Sequence, residues 1–163
     1  MTENCLVNLV KLLDSQTREQ YRTILILSPA GTGKTRFAQL LASKTKAKYF
    51  DLLDAFSKDE GLSESIDTFD VTNLKKYLTN LPVKEAVIIV DNVDFLLNTW
   101  SDKEVGEFLY LVEKLRSNET QKTFCFFAQD LKILSSKLIY NSQNNSRILT
   151  INQIAHIKEE DAQ

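Results

Sequence analysis

The chain has 163 residues, 43% of them hydrophobic and 26% charged, which suits one globular domain with a single sizeable core. Its formal net charge of -2 excludes a global basic field of the kind that attracts nucleic acid. No apolar run approaches the roughly 18 residues of a membrane span, and the start of the chain lacks the pattern of a signal peptide. We therefore expect a cytoplasmic protein.

Helical and strand patterns alternate in the first half of the chain. Apolar residues at positions 6, 9, 10 and 13 follow the spacing of one helix face, so residues 1–20 are predicted to hold a helix and a linker. A β-branched run at 23–27 predicts a buried strand. A helix is predicted at 34–44, a strand at 48–52, and a short helix with a loop at 53–69.

The second half repeats the alternation. A helix is predicted over 71–81, and Pro82 ends it because proline cannot continue a helix. Ser101 and Glu104 fit a capping box that begins another helix, whose apolar face continues to Leu115. The remaining predictions are strands at 86–90, 123–128 and 147–151, a helix at 131–140, a polar loop at 141–146 and a frayed tail at 153–163.

Strands that alternate with helices predict parallel strands joined by right-handed crossovers. The expected fold is therefore α/β, a three-layer sandwich with a five-stranded, mostly parallel sheet. We expect one domain over 1–163.

A phosphate-binding loop follows the first predicted strand. The segment 28–35 reads SPAGTGKT and matches G-x-x-x-x-G-K-[ST], with Ser28 in place of the first glycine. Backbone N–H groups in such a loop, together with the start of the next helix, form a cradle for anions. Lys34 is suited to the β- and γ-phosphates, and the Thr35 hydroxyl is suited to Mg²⁺. The predicted nucleotide-binding residues are Ser28, Pro29, Ala30, Gly31, Thr32, Gly33, Lys34, Thr35 and Arg36.

A second motif, which is acidic, lies at the end of the predicted strand 86–90. Asp91 follows this apolar run directly, where a carboxylate can hold the shell of a Mg²⁺ ion bound by the phosphate loop. The predicted metal-binding residues are therefore Thr35 and Asp91, and the predicted cofactors are ATP and Mg²⁺.

These two motifs resemble the core of the AAA+ family of oligomeric ATPases, over residues 20–152. In that family the strand ends in Asp-Glu, one further residue and Asp. Asp91 and Asp94 match, whereas Asn92 stands where the family carries its catalytic glutamate. An amide cannot accept the proton of the attacking water, although it can hydrogen-bond to it. Asp94 could substitute as the base, or it could cap a helix.

The resemblance implies two further site residues. Gln129, at the end of the strand 123–128, is placed to sense the γ-phosphate, and an ordinary polar strand end is the alternative. Arg147 is placed like an arginine that acts on a neighbouring subunit's nucleotide, and a solvated surface arginine is the alternative. Tyr21 and Arg22 stand where such folds often contact the base. The helical lid that normally follows the last strand is not expected here.

The chain has a closer resemblance to the small P-loop proteins of BREX phage-defence systems, the BrxF-like proteins. Its phosphate loop, Tyr49-Phe50-Asp51 in the second strand and Asp91-Asn92 carry this likeness. It implies a component of a multi-protein system that uses ATP binding for assembly or regulation. The implied partners are further copies of the chain or larger defence proteins, with DNA contacted only within an assembly.

Four functions remain open at this point, one of them a nucleic-acid loader, although the mild acidity of the chain argues against DNA binding by the isolated domain. The first is a slow or partner-stimulated ATPase, and the second is an adaptor that binds ATP without hydrolysing it, which Asn92 favours. The third is a small-molecule kinase, although the five arginines are scattered and do not form the clamp that two phosphorylated substrates need.

Overall fold

The computed structural model describes residues 6–29 and 34–157, at whose centre lies a parallel five-stranded sheet. The order of the strands across the sheet is β2-β3-β4-β1-β5, and every pairing is parallel. The fold is therefore α/β, as the alternating pattern predicts. The strands are β1 (Thr23–Ser28), β2 (Lys48–Asp51), β3 (Val87–Asp91), β4 (Thr123–Gln129) and β5 (Ile148–Thr150).

Helices connect the strands on both faces of the sheet. Two short 3₁₀ turns, Ile66–Thr68 and Ile151–Gln153, accompany the α-helices. The α-helices are α1 (Leu9–Gln16), α2 (Lys34–Thr45), α3 (Leu52–Lys58), α4 (Glu60–Glu64), α5 (Val71–Thr79), α6 (Asp94–Thr99), α7 (Asp102–Lys114) and α8 (Lys132–Ser135). Among the described residues, no helix combines the length and the apolar character that a membrane span requires.

The core is divided into two layers because successive strand side chains point to opposite faces. On one face Leu25, Val90 and Phe126 pack with α3 and α5 to α8. On the other face Ile26 and Cys125 pack with α1 and α2. With both faces covered, the central strands are almost completely buried, which explains their continuous apolar sequences.

Several element boundaries differ from the sequence predictions. The first helix begins at Leu9, because the Asn8 side chain caps it by accepting from the backbone N–H of Lys11. The predicted helix 131–140 is reduced to the four residues of α8, and α6 was not predicted. The tail was expected to fray from residue 153. This expectation is wrong for residues 153–157, because Ile154 is buried and forms a β-bridge with Val7. The capping box of Ser101 and Glu104 is confirmed.

Candidate nucleotide-binding site

The two ends of the predicted phosphate loop lie at the carboxyl edge of the sheet. Ser28 is the last residue of β1, and Lys34 and Thr35 are the first two residues of α2. Pro29 follows the strand, whereas Ala30, Gly31, Thr32 and Gly33 lie outside the described residues. The strand before the loop and the helix after it are the context that this motif requires.

Asp91 is the centre of the site. It ends β3 and is completely buried. Its Oδ1 lies 3.2 Å from the Lys34 ammonium and accepts from the backbone N–H of Asn92 at 2.8 Å. Its Oδ2 accepts from the hydroxyls of Thr35 and Tyr49, each at 2.7 Å. One carboxylate thus joins the end of β3 to a side chain of β2 and to the start of α2.

Asp94 provides a second link, between β3, β4 and the phosphate-loop lysine. Its Oδ1 accepts from the backbone N–H of Gln129 at 2.7 Å, and its Oδ2 lies 3.4 Å from the Lys34 ammonium. Asp94 is the first residue of α6, and the residue that precedes this helix, Val93, makes no side-chain cap. The helix-cap interpretation of Asp94 is therefore wrong, and its carboxylate serves the site instead.

The charges of Lys34, Asp91 and Asp94 do not cancel among themselves. The Lys34 ammonium lies between the two carboxylates, so these three described side chains together carry a formal charge of about -1 at a largely buried position. Burying an uncompensated charge is unfavourable. The cluster therefore favours the arrival of a further cation.

Asn92 turns the chain out of β3 with a left-handed backbone. Its φ is 61°, a value that asparagine tolerates better than other residues with a Cβ. This turn brings the backbone N–H of Asn92 onto Asp91 and directs the chain into α6. The sequence pattern concerns only the side-chain chemistry of residue 92. The structure adds a reason for asparagine that lies in the backbone conformation.

Tyr49 is a site residue whose role the sequence analysis missed. It lies on β2 opposite Ile89 of β3, and its phenol donates to Asp91. Burial and the neighbouring Asp91 carboxylate raise the pKa of the Tyr49 phenol above its ordinary value, so it remains a donor at neutral pH. The available signal was topological, because only the pairing of β2 with β3 brings Tyr49 close to Asp91.

The remaining predicted residues at this edge are placed as follows. Gln129 ends β4 opposite Ser28 of β1, and its backbone, as described above, is bound by Asp94. The sensor role of its side chain stays a prediction. Arg36 is exposed on α2. The buried Ser28 hydroxyl has no hydrogen-bond partner among the described residues, so it stands unsatisfied where the phosphate loop begins.

The structure corrects the role expected of Arg147. Its side chain is only 2% exposed, and its guanidinium donates to the carbonyl oxygens of Val112 and Glu113 at the end of α7. It also lies 5.7 Å from the centre of the Tyr21 ring. An arginine that acts on a neighbouring subunit must reach the surface, so both the trans-acting and the solvated interpretations are wrong for this conformation.

Tyr21 and Arg22 are likewise far from the phosphate loop. They precede β1, whereas the loop follows it, and a six-residue strand spans roughly 20 Å. Tyr21 bridges Arg116 and helps to line a groove of about 690 Å³ beside α5 and α7. The contact of these residues with the base stays a prediction.

The described residues fit Mg²⁺ and a nucleotide. Mg²⁺ prefers oxygen ligands, and the Thr35 hydroxyl and Asp91 carboxylate present oxygens 2.7 Å apart at the start of a helix. Because Thr35 donates its proton to Asp91, the lone pairs of its oxygen face away from that bond and remain available. The Lys34 ammonium lies beside them, where an anion at the helix N-terminus would meet it.

Comparisons with known proteins agree with this geometry. Fidgetin-like protein 1 of Drosophila melanogaster is 32% identical over 107 residues, which are 60% of this chain and 19% of that protein. The chain thus spans about a fifth of the length of that relative. Residues 24–151 match the model of the ATPase family associated with various cellular activities. Because this match covers well over half of the chain, from β1 to the last strand, the protein belongs to the AAA family.

Proposed function

We propose that this AAA-family chain binds ATP together with Mg²⁺ through the loop from Ser28 to Thr35. The observation that carries the proposal is the meeting of Lys34, Thr35 and Asp91, which come from two separate motifs 57 positions apart in sequence. A chance glycine-containing helix start would not be expected to place its lysine and threonine on the same buried carboxylate.

Each residue has a defined part in this proposal. The loop backbone and the start of α2 would hold the phosphates, and Lys34 would exchange its carboxylate partners for phosphate oxygens. Thr35 would bind Mg²⁺ directly, and Asp91 would hold the shell of ligands around that ion. When bound, Mg²⁺ supplies positive charge that stabilises the negative charge on the phosphates.

The test is Lys34→Ala, with ATP binding measured by calorimetry in the presence of Mg²⁺. A charged hydrogen bond contributes about 3 kcal/mol, so we expect the affinity to fall by about a hundredfold. Lys58→Ala is the matched control, because Lys58 is an exposed lysine in a surface pair with Asp54. Unfolding in urea checks both variants, since Lys34 also neutralises Asp91. Retained micromolar affinity in folded Lys34→Ala would refute the site.

We further propose that hydrolysis is slow or needs a partner. Asn92 cannot take a proton from water, and Asp94, which could, is held by the backbone N–H of Gln129. Steady-state ATP turnover by the wild type separates this from the alternative, an adaptor that only binds. An ordinary ATPase rate of the isolated wild type would exclude the adaptor and would also contradict slow or partner-dependent hydrolysis. Asn92→Glu tests whether the missing carboxylate limits the rate.

The biological role that we propose is an assembly or regulatory component of a BREX-like anti-phage system. The support is the sequence resemblance at the phosphate loop, at Tyr49-Phe50-Asp51 and at Asp91-Asn92. It is tested by phage plating on cells that carry the neighbouring genes with either the wild type or Lys34→Ala. Equal protection by the two would exclude a nucleotide-dependent role, and equal sensitivity of cells with and without the gene would exclude defence altogether.

A further inference from the structure

We propose that Tyr49 is a positioning residue for the divalent cation: its phenol holds Asp91 in the orientation that favours cation binding beside Thr35. This inference rests on the proposed binding of Mg²⁺ and ATP, and it concerns a residue outside both the phosphate loop and the Asp91–Asp94 segment.

The geometry of the Asp91 carboxylate carries the argument. A carboxylate can accept about four hydrogen bonds, two at each oxygen. The orientation of the carboxylate plane is fixed only if donors reach both oxygens. Lys34 and the Asn92 N–H hold Oδ1, and Thr35 and Tyr49 hold Oδ2. Each oxygen thus has two donors among the described residues.

These four donors differ in what they can do when a nucleotide binds. Lys34 would turn towards the phosphates, and Thr35 would share its oxygen between Asp91 and the cation. Tyr49 stands on β2, whose backbone is paired with β3 in register up to Asp91. It is therefore the side-chain donor that can serve Asp91 alone when nucleotide and cation are bound, and it keeps Oδ2 aimed at Thr35.

A simpler interpretation is that Tyr49 is a half-buried tyrosine satisfied by the nearest acceptor. That interpretation predicts a general loss of stability on removal of the hydroxyl, and no selective effect on the metal. Groups that orient a metal's ligands typically change metal affinity by about 10- to 100-fold when removed. The two interpretations therefore differ in a measurable quantity.

The experiment measures binding of the non-hydrolysable ATP analogue AMPPNP with saturating Mg²⁺ and with EDTA. The ratio of the two affinities is the gain that the cation provides. We expect Tyr49→Phe to reduce this gain by about tenfold or more while leaving the affinity in EDTA within about twofold of the wild type. Tyr77→Phe is the matched control, since Tyr77 is a partly buried tyrosine that packs on Phe50, 6.1 Å between ring centres.

A double-mutant cycle tests whether Tyr49 acts through Asp91. In an Asp91→Asn background, Tyr49→Phe should change the Mg²⁺-dependent gain no further, because the oriented carboxylate is already gone. Additive losses would overturn the inference.

The outcomes also separate this inference from the proposed function. A wild type that gains no affinity from Mg²⁺ refutes both. A wild type with a gain that Tyr49→Phe preserves, or a variant that loses affinity equally with Mg²⁺ and with EDTA, refutes only the role of Tyr49. Tyr49→Met, which also lacks the hydroxyl, provides a second variant, and loss of structure in both would assign Tyr49 to the fold and overturn the inference.

Discussion

Asn92 shows how a single residue can be selected for its backbone as well as its chemistry. At a φ of 61°, a residue with a Cβ is strained by roughly 1–2 kcal/mol, and asparagine is among the residues that tolerate this region best. The turn that it makes places its N–H on the buried Asp91. Replacement of Asn92 therefore tests the conformation and the chemistry of the site together.

We expect Asn92→Ala to lower the free energy of unfolding by about 1 kcal/mol and Asn92→Gly to leave it within about half a kcal/mol. The measurement is urea unfolding followed by circular dichroism. Asn98, exposed within α6, is the control position, and there the order should reverse, because glycine is about 1 kcal/mol worse than alanine inside a helix. If alanine is also the better residue at position 92, the left-handed turn is not a constraint on stability.

The site residues differ in how well sequence predicts them. Lys34, Thr35 and Asp91 follow from local motifs, because a phosphate loop needs a lysine, a hydroxyl and an acid at the end of a strand. Tyr49 and the contact of Asp94 with Gln129 depend on which strands become neighbours. Side-chain hydrogen bonds between neighbouring strands leave no local pattern, and so the sequence analysis could not assign them.

Among the helices, length decided what could be predicted. The helix α7, with 13 residues and a capping box, shows several full periods of its apolar face. In contrast, α6 has six residues and α8 has four, too few for a helical period to be distinguished from a chance apolar pair. The strands were predicted well, because burial on both sides makes each central strand a continuous apolar run.

Arg147 joins two elements, and its replacement should therefore affect stability. Its guanidinium donates to carbonyl oxygens at the end of α7 from the residue that precedes β5. Burial lowers the pKa of this guanidinium, and the nearby Glu113 carboxylate opposes that effect. We expect Arg147→Ala to lower the free energy of unfolding by about 3 kcal/mol. Urea unfolding gives the measurement, and Arg18→Ala, at an exposed pair with Asp14, should change it little.

The opposite result would restore the role that sequence suggested. If Arg147→Ala keeps the stability of the wild type but loses ATP turnover that depends on protein concentration, the side chain must leave its buried position in an assembly. The present conformation predicts instead that any loss of turnover follows the loss of folded protein.

At the scale of the whole molecule, the property to test is self-association. We expect the mass measured by light scattering with Mg²⁺ and ATP to exceed that of the monomer, because the chain belongs to a family that the sequence resemblance describes as oligomeric. Lys34→Ala should remain at the mass that the wild type shows without nucleotide. A monomeric mass for the wild type with saturating nucleotide would favour docking on a different protein.

The two outer strands restrict how copies of this chain could associate. β2 has four residues and β5 has three, whereas the three strands between them have five to seven. Short outer strands offer few free backbone groups to an incoming strand, which is one way in which proteins resist edge-to-edge aggregation. Copies would therefore meet through side chains on helices and loops, and contacts of that kind can be abolished by a single surface substitution while each sheet stays intact.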